Sequence, residues 1–531
     1  MSNAKKDFLF SAITVILFFV LLEFTLRVFS PPAAYDFIER RIFEQKLTLR
    51  KTPGEIRIFL FGGSTMHGSD LYPKSTIKKW MDLYAEKILG EKSASRINVL
   101  NFGRLGEDSR FVLEVFSQTL GYRPDIVVFY SAHNDFVIKQ HRNELLFGKS
   151  YGDRIHDFFS GWVRKSSLLS SINRFFIRKK TLRKQRASKA SQYSEGYDFI
   201  EIEKKPTSLS KDQLALGSEV FQKVQKNLED NIIKIIRIGQ KYKIPVIFLE
   251  GIADFKDYPP RASTHGKNIT AEQLRYWEQL NSRAEALLAK AQYKEASRVF
   301  EECLKYDNEY AMSYYRLGQC YEYLSDYAQA NKNYKLANDF DPLRSRGPSS
   351  ENKFYEKLSA SALSGVFVIP TPKIFEESSE HGIMEEGRLL ADVVHPTIEG
   401  QALMALSVLR LLYQQNLLPT DIIWHWENLP ASYLALQDKL GIDDEFLFFY
   451  YLNKAKFMLS YSDKVIEYIK KALEINPDSL AAQRLLAWIH WQRGDIQEAI
   501  REYRELYKKA PKMMEEVFIK FPKIKQALGY N

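Results

Sequence analysis

The stretch from Arg57 to Tyr72, RIFLFGGSTMHGSDLY, ends a short apolar run with two glycines, a serine and a threonine. The apolar run predicts a buried strand, and Gly62 and Gly63 would let the chain turn sharply after it. Ser64 would then be exposed near the start of the next helix, where its hydroxyl could act as a nucleophile. The residues GGST alone are also consistent with a plain turn or with an anion-binding helix start.

Three other polar clusters have the same relation to predicted strands and helices. NFGRLGEDS, residues 101–109, follows a second apolar run, and SAHNDF, residues 131–136, follows a third. Far downstream, Asp392 lies three residues before His395, ahead of a helix predicted to begin near Thr397. Taken singly, each cluster could form a strand-to-helix turn or a helix cap. Their occurrence together favours a single functional site.

The elements that must position these clusters alternate along the chain. Apolar runs separated by helical patterns predict strands that are buried on both faces, which is typical of a parallel sheet in a layered α/β domain. The runs are IRIFLFGG, INVLNFG, PDIVVFY and IPVIFLEG. In such sheets the ligand crevice lies beyond the carboxyl ends of the strands, so the clusters that follow the strands would face the same crevice.

The order Ser64, Gly106, Asn134 and then Asp392-x-x-His395 resembles the SGNH (GDSL-like) hydrolase family. The resemblance covers the α/β part of the chain, about half its length, and implies a three-layer α/β fold with a flavodoxin-like parallel sheet. The motif departs from the family at Gly63, where the family has the aspartate of G-D-S, and at Ala132, where it usually has glycine. These departures bear on the geometry of the oxyanion hole and on substrate preference.

The resemblance also implies the role of each residue. Ser64 would attack an acyl carbonyl, His395 would take and return its proton, and Asp392 would orient the imidazole. The resemblance assigns the oxyanion donors to the backbone N–H groups of Ser64 and Gly106 and to the side-chain amide of Asn134. The nearby His67 and His133 are interpreted as ordinary loop residues and are left out of the predicted site.

Composition limits the other functional classes. The chain has 531 residues, of which 45% are hydrophobic and 27% charged, so more than one folding unit is expected. A net charge of +10 allows an anionic partner but does not indicate nucleic acid. The two cysteines, Cys303 and Cys320, have no metal-ligand spacing, so neither a metal, another cofactor nor a disulfide is predicted.

Two regions carry a repeat of 34 residues, the period of tetratricopeptide repeats. In the first, Tyr293, Ala296, Phe300, Cys303 and Asp307 recur as Tyr327, Ala330, Tyr334, Ala337 and Asp341. In the second, Val465, Ile469 and Pro477 recur as Ala499, Tyr503 and Pro511. Pairs of helical hairpins are predicted in both regions. They either stabilise the chain or form a concave surface for a protein or polymer partner.

The N-terminus predicts a membrane segment. Phe8 to Leu22 carries no charge, and the segment continues to about Phe29 before Pro31 and Pro32. An uncleaved single-pass anchor with an extracytoplasmic body, periplasmic in a bacterium, is predicted over a cleaved signal peptide or a buried helix. A basic run, residues 174–189, could lie on an anionic bilayer or form a solvated insertion.

The predicted organisation and function follow from these features. The predicted units are a membrane anchor (1–32), the first α/β part (51–268), a repeat insertion (269–345), the second α/β part (346–415), a connector (416–445) and C-terminal repeats (446–531). The predicted function is a membrane-anchored serine esterase that hydrolyses an acyl ester, with O-acyl groups of an envelope glycan as the expected substrate. The alternatives are an O-acyltransferase acting on a glycan hydroxyl and a non-catalytic scaffold that binds partners through its repeats.

Overall fold

The computed structural model describes residues 33–130, 133–138, 214–458 and 464–530. The predicted membrane anchor, residues 1–32, the basic run, residues 174–189, and Ala132 lie outside these ranges.

The centre of the molecule is a parallel sheet of five strands in the order β2-β1-β3-β4-β5. The strands are β1 (Ile56–Gly62), β2 (Ile97–Asn101), β3 (Ile126–Tyr130), β4 (Val246–Leu249) and β5 (Val366–Ile369). The first four coincide with the apolar runs of the sequence, and the strand order is flavodoxin-like. Because β2 and β3 lie on opposite sides of β1, the chain direction across the sheet reverses between β1 and β3.

Helices cover both faces of the sheet. Up to β4 the described helices are α1 (Ala33–Glu44), α2 (Ser64–His67), α3 (Ile77–Ala94), α4 (Ser109–Thr119), α5 (Asn134–Val137) and α6 (Glu219–Tyr242). Alternate side chains of β1 enter opposite layers, since Phe59 and Phe61 pack with residues of α1, α4 and α6, whereas Ile58 and Leu60 pack with residues of α3. The sheet is therefore the middle of three layers.

Four of the five helices between β4 and β5 form two helical hairpins. They are α7 (Ala271–Ala289), α8 (Tyr293–Tyr306), α9 (Ala311–Tyr323) and α10 (Tyr327–Phe340). Cys303 and Ala337, which occupy the same position of the repeat, are both buried. Burial raises the pKa of the Cys303 thiol to about 12, so this cysteine is a small core residue.

The chain then completes the α/β part. Helices α11 (Ser349–Ala360), α12 (Thr371–Ser378) and α13 (Ile398–Gln414) follow. Tyr355 of α11 packs in the same layer as Phe59, and α13 packs beside α3 on the other face. The short α14 (Leu434–Gln437) lies in the connector, where Leu436 packs in the layer of α3.

The C-terminal region is helical throughout its described residues. Its helices are α15 (Asp444–Met458), α16 (Val465–Ile475), α17 (Leu480–Arg493), α18 (Ile496–Lys509), α19 (Pro511–Lys520) and α20 (Pro522–Ala527). The 34-residue period covers α16 to α18, and α15 adds a helix that packs against α16. Leu452 and Ala455 of α15 also share a buried cluster with Val393, next to the predicted site.

The predicted localisation needs correction. None of the described helices is both long enough and apolar enough to cross a bilayer. The long helix α6 illustrates the reason, because charged residues such as Lys223, Asp230, Lys234 and Arg237 interrupt its apolar positions. The predicted single-pass anchor is therefore not supported by the described structure.

Candidate active site

Ser64 lies where β1 ends and the short helix α2 begins. The end of β1 lies so close to β3 that only glycine fits at position 62, since a Cβ atom there would lie 2.3 Å from the carbonyl oxygen of Tyr130 in β3. Ser64 is thus located at the carboxyl edge of the sheet, between β1 and β3, where the strand order reverses. This edge is where open α/β sheets bind their ligands.

A chain of hydrogen bonds joins Ser64, His395 and Asp392. The Oγ atom of Ser64 lies 2.7 Å from Nε2 of His395, and Nδ1 of the same ring lies 2.8 Å from Oδ2 and 2.9 Å from Oδ1 of Asp392. Because the carboxylate faces Nδ1, the proton belongs on that nitrogen and Nε2 can accept the serine proton. The arrangement is that of a nucleophile, a base and an orienting acid.

The spacing Asp-x-x-His produces a compact turn that holds the acid and the base together. Oδ1 of Asp392 accepts backbone N–H bonds from Val394, at 3.0 Å, and from His395, at 2.9 Å. Thr397 then caps α13 by accepting a bond from the Gly400 N–H at 3.1 Å. The residue spacing in the sequence therefore corresponds to a turn followed directly by a capped helix.

Two side chains connect this turn to the helix that carries the serine. The Thr65 hydroxyl donates to the carbonyl of Val394 at 3.3 Å, and Gln401 donates from its amide to the carbonyl of Thr65, also at 3.3 Å. These bonds cross the two parts of the α/β domain that the repeat insertion separates in sequence. They hold the serine loop and the histidine loop in one position relative to each other.

Asp392 is buried, with its side chain 2% exposed, and it has a second cationic neighbour that sequence reasoning missed. The Nζ atom of Lys454, from α15, donates a hydrogen bond to Oδ2 of Asp392. Burial alone would raise the pKa of the Asp392 carboxyl, but the charges and hydrogen bonds of His395 and Lys454 hold that pKa well below its usual range. Asp392 is therefore ionised.

The three predicted oxyanion donors lie on the loops that follow β1, β2 and β3. The Nδ2 atom of Asn134 donates to the carbonyl of Glu107 at 2.8 Å, so Asn134 contacts the loop that contains Gly106. Gly106 has φ +71°, a left-handed conformation that favours glycine. An amide nitrogen carries two N–H donors, so Asn134 can bind Glu107 with one and an oxyanion with the other.

Residues at the end of β2 and just after it hold α2, the helix that begins with Ser64, in place. Asn101 accepts the Gly103 N–H at 2.7 Å and donates to the carbonyl of Met66, also at 2.7 Å. Gly103 lies so close to α2 that a Cβ atom there would be 2.4 Å from the His67 nitrogen. Arg41 of α1 donates to the Gly103 carbonyl at 3.2 Å. The contribution of α1 was not predicted, because an amphipathic helix carries no signal for the loop it will contact.

His133 differs from the ordinary loop residue that the sequence suggested. It is buried, its Nδ1 accepts the Gly347 N–H at 3.0 Å, and its Nε2 lies 2.9 Å from the Ile252 carbonyl. Burial lowers the pKa of His133 to about 3, so the ring is neutral and donates from Nε2. His133 therefore joins the loop before Asn134 to the loops that follow β4 and precede α11.

His67 does not join the hydrogen-bonded chain. Its ring packs on Tyr72 with 4.3 Å between ring centroids. Burial, together with the nearby Arg41 charge, lowers the pKa of His67 to about 3, so this ring is neutral as well. Within the described residues, no group of three or more His, Cys, Asp or Glu side chains is arranged to hold a metal ion.

Comparison with known proteins identifies the repeats directly. Family models described as tetratricopeptide repeat match residues 311–342 and 466–513. These are α9 with α10 and α16 with α17 and α18, the two places where the sequence showed the period. No curated protein matches the chain. Tetratricopeptide repeats support binding of a protein partner.

Solved structures similar to this chain include both parts of the architecture. A GDSL-like lipase from Bacteroides thetaiotaomicron is 10% identical, with 72% of this chain and 99% of that chain covered and a TM-score of 0.30. A protein from Bacteroides fragilis, named as a candidate acylhydrolase, is 11% identical over 71% and 95% of the two chains, with a TM-score of 0.29. A tetratricopeptide-repeat protein from Thermus thermophilus is 15% identical over 48% and 98%, with a TM-score of 0.13.

The five-stranded parallel sheet and the matched repeats confirm the predicted fold class.

Proposed function

We propose that this protein is a serine hydrolase that cleaves an acyl ester, with Ser64 as nucleophile, His395 as general base and Asp392 as the orienting acid. The observation that carries the proposal is the continuous hydrogen-bonded chain from the Ser64 hydroxyl through the His395 ring to the Asp392 carboxylate. Its location at the carboxyl edge of the sheet supports access for a substrate.

The geometry can perform both halves of ester hydrolysis. As the Ser64 oxygen attacks the ester carbonyl, Nε2 of His395 takes its proton, and the imidazolium that forms is stabilised by Asp392. The developing oxyanion would be bound by the backbone N–H groups of Ser64 and Gly106 and by the Asn134 amide. His395 then protonates the leaving alcohol, and a water molecule activated by the same ring releases the acid.

For the natural substrate we propose an O-acyl group carried by a glycan, following the family resemblance. The helical hairpins inserted between β4 and β5 would bind the larger body that bears the ester, or a protein partner. Transfer of the acyl group to a sugar hydroxyl is the second candidate, since an alcohol can replace water in releasing the acyl-enzyme.

The decisive experiment is covalent labelling of the full chain by a fluorophosphonate, followed by mass mapping of the modified residue. We expect modification of Ser64 and complete loss in Ser64→Ala. His395→Ala should suppress labelling strongly, and Asn134→Ala should slow it about a hundredfold or more. His425→Ala, which changes an exposed histidine of the connector, is the matched control and should label at the wild-type rate.

Folded protein that never labels from neutral to mildly alkaline pH would contradict the proposal and favour the non-catalytic scaffold. Where labelling occurs, p-nitrophenyl acetate with and without an added glycan separates the two enzyme candidates. A hydrolase should release nitrophenol at the same rate in both cases. A transferase should release it faster with the glycan present and leave the acetyl group on the sugar.

A further inference from the structure

Lys454 is a buried cation supplied to the site by the C-terminal helices. Its side chain is 1% exposed and that of Asp392 is 2% exposed, and the two groups are hydrogen-bonded through Oδ2 of the carboxylate. The same Oδ2 atom lies 2.8 Å from Nδ1 of His395. The lysine and the imidazole therefore share one carboxylate, away from water.

The position of Lys454 is fixed by the way α15 and α16 dock on the turn that contains Asp392. Leu452 and Ala455, on either side of Lys454, are buried in one cluster with Val393 and Tyr258. Burial of these neighbours fixes the backbone of Lys454 beside the carboxylate. α15 is thus part of the wall of the candidate site.

Two polar residues, one in α16 and one just before it, support the same docking. The hydroxyl of Tyr468 donates to Oε1 of Glu386 at 2.7 Å and lies 3.1 Å from the carbonyl oxygen of Ala391. The Nζ atom of Lys464 donates to the Glu386 carbonyl at 2.8 Å and to Oδ2 of Asp257 at 3.1 Å. These contacts hold the docked helices against the turn but do not reach Asp392 itself.

We propose that Lys454 is a positioning residue of the active site, which holds the Asp392 carboxylate in place with a buried positive charge and thereby sets the pH range in which His395 acts as a base. This inference depends on the proposed hydrolase function. It makes the C-terminal helices a necessary part of the catalytic unit rather than an appended binding module.

The charge balance of the buried cluster supports this role. Whenever the imidazole is neutral, as a general base requires, Lys454 is the cationic group among those that the Asp392 carboxylate contacts in the described structure. Lys454 supplies that charge. The same positive charge opposes a second one on the imidazole, so removal of the Lys454 charge should make protonation of the ring easier.

The surrounding titratable groups do not replace the lysine. Those that face Asp392 or His395 are His133, Tyr258, Tyr450 and Tyr468, with Asp70, Asp254 and Glu386 behind them. Burial raises the pKa values of the three tyrosines well above their usual range and lowers that of His133 to about 3, so these four groups are neutral near neutral pH. None of them supplies a positive charge there.

The test measures the second-order rate constant of fluorophosphonate labelling at Ser64 between about pH 5 and pH 9 in the full chain. Wild type should show an acid limb, where rate falls as His395 becomes protonated. In Lys454→Met the limb should move to higher pH by about one unit or more, because removal of a like charge makes protonation of the imidazole easier. Lys454→Arg, which retains the charge, should keep the limb near its wild-type position.

A loss of folded protein lowers the amplitude of labelling but does not move the limb, so the readout separates positioning from stability. Lys454→Gln, which retains a hydrogen-bond donor without the charge, provides the same test if the methionine variant does not fold. Lys464→Met is the matched control, because it removes contacts from the same docked interface without touching Asp392. We expect its limb to stay in place.

Two outcomes would overturn the inference. In the first, the acid limb of both uncharged Lys454 variants stays at the wild-type pH. In the second, the acid limb of Lys464→Met moves as far as that of Lys454→Met, which would attribute the effect to docking in general. Wild-type protein that never labels would overturn the proposed function instead, so the two failures can be distinguished.

Discussion

Gly63 and Asn134 approach each other so closely that no side chain fits between them. A Cβ atom at Gly63 would lie 2.8 Å from Nδ2 of Asn134 and 3.3 Å from the carbonyl oxygen of Glu107, which accepts the bond from that same amide. The glycine that replaces the aspartate of the family motif thus lies directly against the proposed oxyanion donor. Glycine at position 63 therefore leaves the space that the Asn134 amide occupies.

Gly63→Ala should therefore displace the Asn134 amide and slow the labelling of Ser64 about tenfold or more, since one oxyanion donor would be misplaced. The effect should largely disappear in an Asn134→Ala background, because the group that the methyl displaces is already absent. Gly121→Ala is the matched control, as a Cβ atom there meets nothing within 4 Å. Additive losses in the double variant would contradict this interpretation.

The sequence predicted those parts of the site that are encoded locally. Ser64 and Asn134 follow apolar runs that form parallel strands, and the three-residue spacing of Asp392 and His395 gives a turn ahead of a capped helix. Each of these signals lies within about ten residues, and the topology of a parallel sheet brings them to one edge. The layered fold followed from the same patterns, whereas the flavodoxin-like sheet was implied by the family resemblance.

The rest depended on tertiary contacts that have no local signal. Lys454 occurs in a helix rich in aromatic residues, DEFLFFYYLNKAKFM, where one lysine is indistinguishable from a solvated charge. Its burial is decided by how α15 docks on Val393. His133 was interpreted as a loop residue for the same reason, since its partners at Ile252 and Gly347 are distant in sequence.

His133 should make the protein sensitive to acid. The pKa of His133 is lowered to about 3 by burial, so the unfolded chain takes up a proton below about pH 6.5 that the native state does not, and stability is lost as the pH falls. Between pH 7 and pH 5 this histidine should cost about 2 kcal/mol in the free energy of unfolding.

The measurement is chemical denaturation at the two pH values for wild type and His133→Gln. The variant should be less stable at pH 7, because buried hydrogen bonds are lost, but should lose less stability on acidification. His425→Gln, which changes an exposed histidine, should keep the wild-type difference. Equal losses in wild type and His133→Gln would show that the ring is not the source.

Asp135 should have the opposite effect on the pH dependence. Burial, reinforced by the negative charge of Asp108, raises the pKa of Asp135 to about 7, while its oxygens accept bonds from the Ser109 N–H at 3.0 Å and hydroxyl at 2.6 Å. The native state then holds a proton that the unfolded state releases above about pH 4, so this residue lowers stability as the pH rises towards 7.

Asp135→Asn removes that proton uptake. Relative to wild type, the variant should gain stability between pH 4.5 and pH 7.5, on the order of 3 kcal/mol in the free energy of unfolding. The control is Asp478→Asn, whose side chain is 95% exposed and which should follow the wild-type curve. A constant difference between Asp135→Asn and wild type across the range would refute the assignment.

The repeat insertion is held to the α/β domain around Lys256. The Tyr315 hydroxyl of α9 donates to the Lys256 carbonyl at 2.7 Å, and Nζ of Lys256 lies 2.9 Å from Oε1 of Glu322 in the same helix. Loss of one such hydrogen bond costs about 1 kcal/mol. Both contacts lie outside the hydrogen-bonded chain of Ser64, His395 and Asp392.

The combined change Tyr315→Phe and Glu322→Gln should therefore loosen the insertion without changing the chemistry. We expect cleavage within residues 271–340 under native limited proteolysis to become about tenfold faster, because two lost bonds raise the population of the undocked state. Labelling of Ser64 by a small fluorophosphonate should stay within about twofold of wild type, whereas hydrolysis of a glycan-linked ester should fall if the docked insertion binds the larger substrate.

Tyr323→Phe, which removes a hydroxyl from a tyrosine that is 63% exposed, controls for the loss of a phenol alone. Faster proteolysis with unchanged hydrolysis of the large ester would mean that the insertion has no part in recognition, and slower labelling of Ser64 would mean that it supports the active site itself.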